Sequence, residues 1–185
     1  FIRKDFQIHL GDNNAQFTQL GVLSYFESIR REIIEQSWTV PVAVLTGSLV
    51  IIPTSAKEHL ERLIPNSRLS YDVIGQLSQE DYLKVSISGS YHDLVTALTQ
   101  LFQDGYIKVI IGTKSLLGEG WDAPCVNSLI LASFVGSFML SNQMRGRAIR
   151  VWPDNPDKTS NILHLVSINL SPRNCLLYTS PSPRD

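Results

Sequence analysis

Two short runs, Val109-Ile110-Ile111 and Leu129-Ile130-Leu131, narrow the choice of fold more than any other feature of the chain. Each is apolar at every position, short for a buried helix, and bounded by turns. A strand with apolar side chains on both sides must be covered on both faces, the condition met when helices pack on each side of a parallel sheet.

The flanking segments alternate in the same sense. Val22, Phe26, Ile29 and Ile33 recur at helical spacing with Arg30, Arg31 and Glu32 between them, predicting an amphipathic helix over Leu20–Glu35. Pro41–Leu45 and Leu49–Ile52 are β-branched-rich runs separated by Thr46-Gly47-Ser48 and closed by Pro53, which reads as strand, turn, strand. Ala56–Leu63 reads as a short helix. Leu83, Val85 and Ile87 alternate with polar residues and stop at Ser88-Gly89. Ser90-x-x-Asp93 then predicts a capping box for a helix whose apolar face is Leu94, Val95, Leu98, Leu101 and Phe102. Asn161–Ile168 is a further strand. Together these elements predict an α/β fold, an open and mainly parallel sheet with helices on both faces.

Composition sets outer bounds. The 185 residues suit one main domain with a real core, expected over residues 1–170, and no apolar run approaches the ~20 residues a membrane helix needs, so no membrane partner is expected. With 43% hydrophobic and 18% charged residues the chain reads as soluble and globular. A net charge of −1 and a pI near 6.5 provide no basic bulk to attract nucleic acid, so any such binding must come from local groups. Cys125 and Cys175 are too few for a disulfide framework or a zinc site, which fits a reducing, cytoplasmic setting. The histidines His9, His59, His92 and His164 share no ligand spacing with them, and no metal site is expected. The opening FIRKD is neither an initiator methionine nor a leader and reads as the interior of a longer protein. Residues 171–185 read as a disordered tail, in which Cys175–Asp185 (CLLYTSPSPRD) resembles the translation of a transposon-end sequencing adapter and is expected to carry no chemistry.

In open α/β sheets, ligands bind outside the carboxyl ends of strands, and two notable segments follow strands here. In GTKSLLGEGWDAP (Gly112–Pro124), Gly112, Gly118 and Gly120 let the backbone approach a ligand, and the Thr113 hydroxyl suits a phosphate oxygen, with Lys114 beside it. Glu119 and Asp122 suit ribose hydroxyls or arginine partners better than bare phosphate. Farther on, QMRGRAIR (Gln143–Arg150) sets Gln143, Arg147 and Arg150 at i, i+4 and i+7 of a helix, with Gly146 removing bulk where that helix could meet a neighbour. Guanidinium forks bind phosphate bidentately and stabilise charge on a transferred phosphoryl group. The simpler alternatives are an ordinary glycine-rich turn and arginines complementing the negative end of a helix before Pro153. Trp121 lies inside the loop and reads as packing between domains or stacking on a base.

The order and spacing of these pieces resemble motifs V (GTKSLLGEGWDAP) and VI (QxxGRxxR, here QMRGRAIR) of superfamily 2 helicases and translocases, the DEAD/DEAH-related and restriction-enzyme-like group. Ile87-Ser88-Gly89 resembles the strand-to-glycine turn of that family's second motor domain, and Phe102-x-x-Gly105 resembles its spacing into motif V. The resemblance covers about residues 1–168 and is specific from Gly89 onward. It implies a RecA-like second domain of an ATP-dependent motor. Arg147 and Arg150 match the γ-phosphate-contacting arginines, Arg150 in the finger position, and are the implied catalytic residues. Gln143 matches a nucleotide-supporting residue, and Gly118, Glu119, Gly120 and Asp122 match the nucleotide-facing loop, Asp122 through the ribose. Thr113 and Lys114 match the contact to a nucleic-acid backbone, and Thr46, Gly47, Ser48, Gly89 and Ser90 are candidates for the same track. DNA is favoured over RNA by the restriction-like GEGWDAP.

The departures define what else is needed. The chain contains no GxxxxGK[ST] and no following Asp-Glu pair, so the phosphate loop and the ligands for Mg²⁺ are expected on a preceding RecA-like domain in cis, with ATP between the two. This piece alone is expected to be inactive. The alternatives are a non-catalytic RecA-like module that binds nucleic acid or a protein partner, and the motor subunit of a restriction system.

Overall fold

The structure is a computed structural model that describes residues 9–15, 21–113, 121–132 and 138–165. The chain divides into two compact units, residues 1–123 and 124–185.

The first unit is built on a five-stranded sheet of order β3-β4-β2-β1-β5. Its strands are β1 (Val42–Leu45), β2 (Val50–Pro53), β3 (Leu69–Asp72), β4 (Tyr82–Ile87) and β5 (Val109–Gly112). Around it lie α1 (Val22–Glu35), α2 (Lys57–Leu63) and α3 (Tyr91–Gln103). Every residue of β1 and β2 is buried, and their side chains sort by the two-residue period of a strand. Ala43, Leu45, Val50 and Ile52 join Leu60 of α2 and Leu94, Leu98 and Leu101 of α3 on one face. Val42, Val44 and Ile51 join Leu23 and Phe26 of α1 on the other. Helices thus cover both faces, as the apolar runs require.

The sheet itself corrects the expectation of a mainly parallel one. Only β1 and β5 pair in parallel, while β1–β2, β2–β4 and β3–β4 are antiparallel. The cause is local. Thr46–Leu49 closes a tight turn, Thr46 N donating to Leu49 O at 2.9 Å, so β2 folds straight back on β1 and takes the neighbouring place in the sheet. The two apolar runs also differ from expectation in burial: Val109–Ile111 is half-buried throughout, and Ile130, in the middle of Leu129–Leu131, is 56% exposed, so short apolar runs reported neither the direction of their neighbours nor full cover on both faces.

The buried stripe of α1 also differs from the expected one. Leu23, Phe26, Glu27 and Arg30 face inward, at i, i+3, i+4 and i+7, while Val22, Ile29 and Ile33 are half-buried on the flank. Two charges go inside because they satisfy each other. Arg30 donates through Nε to Glu27 Oε2 at 2.9 Å and through Nη2 to Oε1 at 2.5 Å, Arg31 Nε adds a 3.1 Å bond to Oε1, and Gly11 N donates to Oε2 at 3.2 Å. The hydrogen bond to Glu27 is also what raises the Arg30 pKa most. Arg31 Nη2 and Arg30 Nη2 reach on to Asp12 O and Asn13 Oδ1, each at 2.7 Å, fastening the 9–15 segment against α1. The helix ends with Ser37 at φ 53°, and Trp38 N donates back to Ile33 O at 2.9 Å, the left-handed cap normally given to glycine.

The second unit is a smaller α/β layer. Strands β6 (Ser128–Leu131) and β7 (Asn161–His164) pair in parallel, joined through α4 (Phe138–Ala148). Met144 and Ala148, one turn apart, are buried residues of α4, which packs on both strands. No helix of the described residues is long and apolar enough to cross a membrane.

The buried network sets the first prediction. Glu27→Gln leaves Arg30 buried without its carboxylate and is expected to destabilise the first unit by about 3 kcal/mol, read by urea denaturation. Ser37→Gly is expected to stabilise by roughly 1 kcal/mol in the same assay, through relief at the left-handed position.

Candidate functional site

The direction of the strands gathers the candidate track residues in one place. Because β2 is antiparallel to both β1 and β4, and β5 is parallel to β1, the strands β1, β4 and β5 all end on the same side of the sheet. Val85, Val50, Leu45 and Gly112 are register partners across four adjacent strands. The loops after β4, β1 and β5 therefore stand in a row three strand spacings wide, roughly 14 Å. That row brings together Ser88-Gly89-Ser90, Thr46-Gly47-Ser48 and Thr113.

Within the row the residues differ in what they can offer. The Thr46 hydroxyl is internal to its turn, donating to Leu49 O at 3.1 Å and accepting from Leu49 N at 2.9 Å, and Thr46 is 1% exposed. Its carbonyl accepts from the Tyr91 hydroxyl, whose pKa burial raises. Gly47 and Ser48 are exposed, and a Cβ placed on Gly47 would meet nothing within 4 Å. What this turn presents to a ligand is thus Gly47 and Ser48, and Thr46 shapes the turn. Thr113 is half-buried at the end of β5.

Gly89 has a structural reason to be glycine. Its φ is +119°, and an added Cβ would lie 2.7 Å from Nη2 of Arg68, whose side chain crosses over it. Ser90 holds the N-cap position of α3 without a side-chain cap bond, so the expected capping box does not form. Asp93 turns instead to Arg68, Nη2 to Oδ2 at 2.8 Å. Nothing local in the sequence marks Arg68, because the ion pair joins residues 25 positions apart.

Of the motif V residues, Lys114, Gly118, Glu119 and Gly120 lie outside the described residues. Asp122 is exposed. Trp121 is buried at 9% exposure, its indole donating to Thr99 Oγ1 of α3 at 2.8 Å, so it packs within the first unit and offers no free face to a base.

In the second unit, Gln143 is exposed on α4, Arg147 is half-buried and Arg150 is exposed. The helix stops at Ala148, so Arg150 stands in the turn beyond it, Arg150 N donating to Arg147 O at 3.4 Å, and the expected single helical face holds only Gln143 and Arg147. A Cβ on Gly146 would meet nothing within 4 Å, so among the described residues no close approach accounts for the glycine. Lys158, which no motif in the sequence marks, braces this end of the unit. Its ammonium donates to Pro124 O at 2.6 Å, Val126 O at 2.8 Å and Ala148 O at 2.9 Å, and Ser160 Oγ donates to Ala148 O as well. Burial lowers the Lys158 pKa and raises that of the neighbouring Cys125 thiol.

The donor sets decide what chemistry each place suits. Guanidinium and amide groups on α4 and its end suit phosphate oxygens and could hold the polyphosphate of a nucleotide. Among the described residues no three His, Cys, Asp or Glu side chains form a cluster that could hold a metal ion. A shallow cleft of about 280 Å³ beside Trp38 and Tyr82 lies at the other end of the sheet, where β4 begins. Compared with known proteins, the chain matches no family model, no curated protein and no solved structure.

Two substitutions check this geometry. Gly89→Ala is expected to destabilise the first unit by about 1–2 kcal/mol, since backbone conformation and the Arg68 contact both oppose it. Lys158→Met removes three charge-assisted bonds to carbonyls and is expected to lower the stability of the second unit by about 2 kcal/mol, seen as faster amide exchange at the end of α4.

Proposed function

We propose that the chain is the second RecA-like domain of an ATP-dependent nucleic-acid translocase or helicase of superfamily 2. The observation that carries this reading is the convergence of Gly47-Ser48, Ser88-Gly89-Ser90 and Thr113 in a row at one end of the sheet. The exposed Gly47, Ser48, Gly89 and Ser90 offer hydroxyls and backbone amides that suit successive phosphates of a strand, without base readout, with Thr113 half-buried at the end of the row. The order of GTKSLLGEGWDAP and QMRGRAIR in the chain supports it further.

In this reading Arg147 and Arg150 bind the terminal phosphate oxygens of ATP and oppose the negative charge that develops there during transfer, while Gln143 orients the nucleotide and Asp122 accepts from a ribose hydroxyl. ATP supplies the phosphoryl group and the energy of the cycle. A preceding domain supplies the phosphate loop and the carboxylates for Mg²⁺. DNA is the favoured track, and the cytoplasm the favoured setting.

The test is made on a protein that joins this chain to such a domain. Arg147→Ala and Arg150→Ala are each expected to cut nucleic-acid-stimulated ATP hydrolysis by about 10³-fold or more while leaving nucleic-acid binding and the thermal midpoint nearly unchanged. Turnover close to that of the parent in both variants overturns the assignment.

A further inference from the structure

The row of strand-end loops contains one cation that neither the motifs nor the resemblance assigns. Arg68 closes the short 3₁₀ turn Asn66–Arg68 and leads into β3, the edge strand beside β4. Its backbone carbonyl accepts from Ser88 N at 2.7 Å, which seats the residue against the loop after β4. From there its side chain runs over Gly89, Nε donating to Ser88 O at 3.2 Å and Nη2 to Asp93 Oδ2 at 2.8 Å. The side chains of Arg68 and Asp93 are 37% and 43% exposed. Nη1 has no hydrogen-bond partner among the described residues and remains for a further acceptor.

Two features separate this arrangement from an ordinary surface ion pair. The chain takes up a positive φ at Gly89 and has no Cβ there, which leaves the guanidinium its path across the loop. The pair also stands at the end of β4, in the row where Gly47, Ser48 and Ser90 are exposed. An ion pair this open to water is weak, so the guanidinium can leave its carboxylate for another anion at small cost. A phosphodiester is such an anion, and the planar fork of arginine matches it.

We infer that Arg68 is a phosphate-binding residue of the nucleic-acid track, held ready over Gly89 by Asp93 and transferred to a backbone phosphate when a single strand lies along the row. The inference rests on the nucleic-acid reading above and adds a residue to it. In the free protein Asp93 orients the guanidinium and competes for it. In the complex Arg68 contacts phosphate, and Asp93 is left to solvent at the start of α3. Because the contact is to the backbone, it is blind to sequence.

The experiment uses the 185-residue chain and a fluorescein-labelled oligodeoxythymidylate, read by anisotropy over a series of salt concentrations, with circular dichroism and thermal midpoints for each variant. Arg68→Gln is expected to weaken binding about tenfold and to lower the slope of log affinity against log salt by about 0.7, the share of one phosphate on a single strand. Asp93→Asn is expected to tighten binding about threefold, since Arg68 no longer has to leave a carboxylate. Arg68→Lys retains the charge, so the slope is expected to stay near that of the parent while affinity falls. Parent binding with an unchanged slope in Arg68→Gln overturns the inference and leaves the nucleic-acid reading standing. Equal weakening by Asp93→Asn and Arg68→Gln also overturns it, because the pair is then only a brace for α3. Failure of the parent chain to bind the oligonucleotide at any salt overturns the nucleic-acid reading and this inference together.

Discussion

The Thr46 hydroxyl decides more of this architecture than its size suggests. It donates to Leu49 O and accepts from Leu49 N, and with the backbone bond between the same two residues it reverses the chain in the shortest space available. Once β2 is folded against β1, the other neighbouring place of β1 is left for β5, and β4 can reach the sheet only on the far side of β2. The mixed sheet, the separation of the β4 and β1 loops, and the width of the row that carries the candidate track all follow from that turn. Tyr91 extends the constraint by donating to Thr46 O, which ties the start of α3 to the same point.

Inside the first unit, charge is handled by enclosure. Glu27 is wholly buried, and a lone carboxylate there would be very costly, yet Arg30, Arg31 and Gly11 N surround it with donors. The same arginines reach the backbone of the 9–15 segment, so a network that adds little net stability still specifies where that segment lies. Gly11 completes the fit. Its φ is +89°, and a Cβ there would strike the backbone of Gln76 at 2.6 Å, so segment and loop meet at contact distance.

Much of the element order was legible because it rests on periodicity. The β1 and β2 runs, the alternation through Leu83, Val85 and Ile87, and the apolar face of α3 each carry a repeat that a short window reveals. Strand direction was not legible, since Val109–Ile111 looks alike beside a parallel or an antiparallel neighbour. Strand β3 is hard to see in the sequence because Leu69 and Tyr71 alternate with Ser70 and Asp72 for only four residues. The stripe of α1 was legible in part: Val22, Phe26, Ile29 and Ile33 all pack on the core, but Glu27 and Arg30, buried beside them, count as solvent-facing until one sees that they face each other. At the candidate site, the loops were legible as strand ends with small and hydroxyl residues. Arg68 and Lys158 were not, because each acts on atoms distant in sequence: Arg68 on Ser88 and Asp93, Lys158 on Pro124, Val126 and Ala148.

The arginines of the second unit have a rival explanation, and the end of α4 bears on it. Cations gather at helix C-termini because the last carbonyls and the helix dipole attract them, an effect of about 0.3–1 kcal/mol each. Arg147 and Arg150 would need no functional role if they completed that cap. Here Ala148 O is already met by the Lys158 ammonium and the Ser160 hydroxyl, Arg145 O accepts from Ile149 N, and Arg147 O accepts from Arg150 N. Three of the last four carbonyls of α4 thus have partners other than a guanidinium. Crowding more cations beside Lys158 works against stability, since like charges repel, and Asp154 and Asp157 are the only nearby carboxylates in sequence. A chain of nearly zero net charge concentrates Arg145, Arg147 and Arg150 around this helix end, and in the reading proposed above the polyphosphate of ATP is the acceptor that Arg147 and Arg150 share.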